Sequence, residues 1–63
     1  TGKPKVINVS KADADYIIKY DKNSQQVDKI PEKIDINKVY VTYSEDLAKK
    51  LNEAGVIRVL LVK

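Results

Sequence analysis

Apolar and polar positions divide the chain into short segments, and their spacing predicts the form of each. In KPKVINV, residues 3–9, β-branched residues predict a strand. Pro4 lacks a donor for a ladder, which suits a strand start or a sheet edge. SKADAD, residues 10–15, is small and polar. It reads either as a loop or as the first turn of a helix, with Ser10 as the cap and Asp13 at the third position.

The next segment carries two periods at once. In DYIIKYD, residues 15–21, Tyr16, Ile18 and Tyr20 alternate as in a strand, while Ala14, Ile17, Ile18 and Asp21 fit one side of a helix. Tyr and Ile favour sheets, so a strand is expected. DKNS follows as a polar turn. QQVDKI, residues 25–30, then returns as the short edge arm of a hairpin. Pro31 biases Ile30 away from helix, making residues 30–37 a connector, with Ile34 and Ile36 laid against the core.

The last third reads most plainly. KVYVTY, residues 38–43, is a strand. Ser44 caps a helix over 45–54, with Glu45 and Asp46 at the positive end of its dipole. Glu45 with Lys49, and Asp46 with Lys50, are acid-before-base pairs in the favoured order. Leu47, Ala48, Leu51 and Ala54 make one apolar stripe, and Gly55 ends the helix. VIRVLLV, residues 56–62, is a strand, and such a strand-helix-strand unit joins parallel strands. The fold expected is α+β: a single helix packed on one face of a four- or five-stranded mixed sheet, with this unit at its C-terminal end. Residues 1–63 are expected to form one small domain.

Composition narrows the chemistry. The chain has no Cys and no His, so disulfides are excluded and the commonest general base and best nucleophile are absent. Asp13 and Asp15 stand close in sequence, but nothing supplies further oxygen ligands for a hard cation. Gly2 and Gly55 are too far apart for a phosphate loop. No enzymatic activity, cofactor or metal is expected. Asn8-Val9-Ser10 matches a glycosylation sequon, with no secretion signal to support it. The lysine-rich surface without Met, Trp or Phe resembles thermophile composition, although Asn and Gln are retained. The chain opens TGKPK without Met, as a processed or excised segment does. No run is long enough to span a membrane, and a cytoplasmic location is expected.

Net charge is +3, from 12 basic and 9 acidic residues mixed along the chain. All the bases are lysine except Arg58, which disfavours base-specific reading of nucleic acid. Arg58 interrupts the most apolar segment. By strand alternation, Ile57, Val59, Leu61, Val39 and Val41 are expected under the helix. The opposite face then presents Tyr16, Tyr20, Tyr40, Thr42, Arg58 and Leu60. That face is too apolar for water, and aromatics with arginine are enriched in interface cores. The expected function is a protein-interaction module covered there by a second copy or another protein. The alternative is a non-sequence-specific binder of single-stranded nucleic acid. It would stack bases on the same tyrosines, with Lys5, Lys19, Lys38 and Lys63 on phosphate. A third arrangement dispenses with both: residues 10–20 form a helix over that face, and the Arg58 stem snorkels at its rim.

Overall fold

A computed structural model describes residues 6–63, so Lys3, Pro4 and Lys5 of the expected first strand lie outside the described residues. The elements are β1 (Val6–Val9), α1 (Lys11–Tyr20), β2 (Ser24–Gln26), β3 (Val39–Thr42), α2 (Glu45–Glu53) and β4 (Arg58–Val62). They make an α+β fold of two helices and a four-stranded sheet in the order β1-β4-β3-β2. Every pairing is parallel, so the expected mixed sheet and hairpin are corrected.

The strand expected over 15–21 is helix. Ser10 is extended and its Oγ accepts from the Asp13 N–H at 3.1 Å, so the cap that the sequence offered is used. Ala14 is buried and Ile17 half-buried against the sheet, while Tyr16 and Tyr20 point outward. Burial of the Ala14–Ile17 side outweighs the β preference of Tyr and Ile, which is a weak bias that tertiary contacts override. With a helix here, QQVDKI has no arm to pair with. Its first residues, Gln25 and Gln26, join β3 from the outer edge instead, with Ser24 before them.

The C-terminal unit forms as expected. Ser44 Oγ accepts from the Leu47 N–H, and Leu47, Ala48 and Leu51 are buried. Gly55 follows at φ +96°, a conformation other residues adopt only with strain. Among the described residues the ion pair that forms is Lys11–Asp15 on α1 at 3.3 Å; the pairs expected on α2 stay open.

The face assignment is where the sequence reading fails. Tyr40 stands beside Val59 and Thr42 beside Leu61, while Val39 stands beside Arg58 and Val41 beside Leu60. Partners in a parallel ladder share a face. Tyr40 and Val59 therefore lie under α2 with Leu51 and Val56, and Val39, Val41, Leu60 and Val62 lie under α1. The strand starts at Arg58, and the two residues before it do not alternate with it. Val56 is buried in the α2 cluster, and Ile57, expected in the core, is 56% exposed.

The two helices follow from the topology. The step from β1 to β2 and the step from β3 to β4 run in opposite directions across the sheet. Crossovers of one hand running in opposite directions lie on opposite faces. So α1 takes one face and α2 the other, with Val27 and Ile34 of the connector packed beside α2. All four residues of β3 are buried, as in a strand covered on both faces.

Candidate functional site

The six residues expected on one interaction face are divided by the structure. Tyr40 is 1% exposed under α2, and its hydroxyl accepts from the Asp35 backbone N–H at 2.9 Å. Thr42 is fully buried, and its Oγ1 accepts from the Ser44 N–H at 3.1 Å. Neither presents anything to a partner, because both sit on the face opposite Arg58. Leu60 is on the Arg58 face but buried. The remaining three, Tyr16, Tyr20 and Arg58, are exposed.

Of the three, Arg58 lines a cleft that the sequence reading missed, and Tyr16 and Tyr20 lie outside its lining. α1 lies over β2 and β4 and leaves the strip toward β1 open. The cleft there holds about 260 Å3. Val39 and Leu60 line it from the sheet, Ile7 and Val9 from β1, Ile17 from α1, and Arg58 and Asp21 complete the lining. Ile7 is 44% exposed. In α1 each step of three residues turns about 60° in one sense. Ala14, buried, is followed by Ile17 at the cleft and then by Tyr20, which is 63% exposed outside the cleft lining. Tyr16 packs on Tyr20, ring centroids 4.6 Å apart, and the Lys19 ammonium is 5.4 Å from the Tyr20 ring. The i, i+3 pair Ala14–Ile17 is the signal that could have shown the sheet-facing side of the helix in advance.

No family model matches the chain, and no curated protein or solved structure matches it.

The lysines weighed as phosphate contacts do not converge. Lys38 precedes Val39, at the same end of the sheet as Arg58, with Lys19 late in α1. Lys63 follows the far end of β4, where its N–H donates to the Val9 carbonyl. Lys5 lies outside the described residues.

A second hollow of about 230 Å3 opens at the carboxyl ends of β2 and β3, beside Gln26, Asp28 and Tyr43. Its Thr42 and Ser44 hydroxyls already accept backbone N–H groups. Among the described residues no cluster of three or more His, Cys, Asp or Glu could hold a metal ion. Lys11 is raised above its usual 10.5, chiefly by its hydrogen bond to Asp15, then by the charges of Asp15 and Tyr43. A raised lysine contributes stability below its unfolded value and loses it as pH climbs through the folded one, so this pair's contribution stands at neutral pH and is lost only in alkali. No helix among the described residues is long and apolar enough to cross a membrane.

Proposed function

We propose that the chain is a non-enzymatic protein-interaction module that self-associates along the strip between α1 and β1. The cleft carries this reading. It joins exposed Ile7 to an apolar floor of Val9, Ile17, Val39 and Leu60 and to the chain's one arginine, in a protein whose residues are 33% charged. Such patches on small proteins are generally covered in use. A second copy is the occupant because the strip runs into the edge of β1, a strand complementary to itself. Sedimentation velocity tests it. The average mass should rise toward a dimer at high micromolar concentration, and Ile7→Asp should hold the chain monomeric. A parent chain that stays monomeric throughout overturns the reading.

The Tyr16–Tyr20 pair with the Lys19 ammonium over the Tyr20 ring supports a second reading, weak stacking of unpaired bases. Titration with a single-stranded oligonucleotide at two salt concentrations separates it from the first. Binding that weakens as salt rises supports it; no binding at low salt removes it.

A further inference from the structure

The backbone of β1 specifies how a second copy would attach. The Val9 carbonyl accepts from the Lys63 N–H at 3.1 Å, so Val9 turns its polar groups toward β4. Backbone direction alternates along a strand, so Ile7 does the same, and Val6 and Asn8 turn theirs outward at the sheet edge. Natural sheets guard open edges with lysine, proline or bulges. Within Val6–Val9 β1 carries none of these, and Lys3, Pro4 and Lys5 stand before it in the sequence.

Resting on the self-association reading, we infer that two copies join by antiparallel pairing of their β1 strands about a two-fold axis through Asn8. The outward groups of Val6 and Asn8 would also admit a register centred on Ile7, which sets Asn8 opposite Val6 and which crosslinking at position 8 distinguishes from this one. Asn8 exchanges both backbone hydrogen bonds with Asn8 of the second copy, using an N–H and a C=O that the monomer's own ladder leaves unused. Ile7 then faces Val9 of the second copy, and Val9 faces its Ile7. These are non-hydrogen-bonded pairs, where side chains approach most closely. Both Ile7 and Val9 line the cleft, so the axis stands perpendicular to the sheet and places both clefts on one side of the seam. Two four-stranded sheets become one of eight strands, and the exposed Ile7 is covered. A seam of four residues per copy buries far less than the roughly 1,200–2,000 Å2 of stable complexes, so association is weak.

The chain has no cysteine, so one introduced thiol reports on one position. A hydrogen-bonded antiparallel pair places Cα atoms about 5.5 Å apart, within disulfide reach. The experiment compares Asn8→Cys with Gln25→Cys, on the opposite edge strand β2, under mild oxidation at high micromolar concentration. Circular dichroism checks that each is folded. The expected result is at least tenfold faster covalent dimer formation for Asn8→Cys, with sedimentation of Asn8→Pro, which removes the outward N–H, showing monomer. If the parent associates but Asn8→Cys crosslinks no faster than Gln25→Cys, or folded Asn8→Pro associates like the parent, the pairing is wrong and the self-association reading stands. If the parent never associates, both fail.

Discussion

Single side chains show why an apolar residue count could not place the core. Tyr40 carries a polar group into a fully buried position, and it is tolerated because the hydroxyl meets the Asp35 N–H. That bond also pins the connector, where Asp35 in turn caps the Asn37 N–H and Ile36 accepts from the Ile57 N–H. Tyr40→Phe keeps the ring and leaves the Asp35 N–H unpaired. It should lower the unfolding free energy by about 1–2 kcal/mol in urea melts, with faster hydrogen exchange at Asp35. Leu51 has no polar function and no exposure. Leu51→Ala should cost about 2–4 kcal/mol, enough to unfold much of the population of a small domain at room temperature. A Leu51→Ala protein melting with its parent would show that α2 is not packed as described. Arg58 is resolved more simply: it opens β4 at the cleft rim, where its head reaches water.

The two helices differ in how each is held, which explains why one was legible and the other was not. α2 announces itself by a cap, an acidic first turn, an apolar stripe and a terminal glycine; all are realised except that the stripe's last member, Ala54, is exposed. α1 has the cap but buries only Ala14 fully, and its Tyr and Ile residues read as strand when taken alone. No local pattern could decide between the two; the decision came from the need of β3 and β4 for a cover on their second face. The same missing helix led to the supposed hairpin, while the wrong faces for Tyr40, Thr42, Val39 and Val41 came from the β3–β4 register, which sets Tyr40 beside Val59 and Val39 beside Arg58. An element with so little buried surface should open before the rest. Native-state hydrogen exchange should show amides of α1 exchanging at lower free energy than those of α2. Ser10→Ala, which removes the Asp13 cap, should widen that gap by about 1 kcal/mol. Equal protection of both helices would contradict this ordering.

At the scale of the whole molecule, parallel topology is what creates the candidate surface. Three same-hand steps place β1 at one edge and send α1 across to β2 at the other, so α1 cannot sit centrally over β1. The open strip beside β1 follows from connectivity, and the sequence adds Ile7 and Arg58 to it. The charge of the molecule then sets how salt acts on two copies. Each carries +3, and the principal extents are 27 × 24 × 20 Å, so docked centres lie about 25 Å apart. In water without salt their repulsion is about 1.5 kcal/mol, close to tenfold in Kd. At about 0.1 M salt the Debye length of about 10 Å removes nearly all of it. A seam of backbone hydrogen bonds and Ile–Val contacts gains nothing from low salt. Self-association should therefore strengthen several-fold between low and moderate ionic strength, as read by sedimentation equilibrium. A complex held by lysine and arginine on an acidic partner, nucleic acid included, should weaken over the same range. Parent chain that dimerises best at low salt would be joined through ion pairs, and the β1 edge would not be the contact.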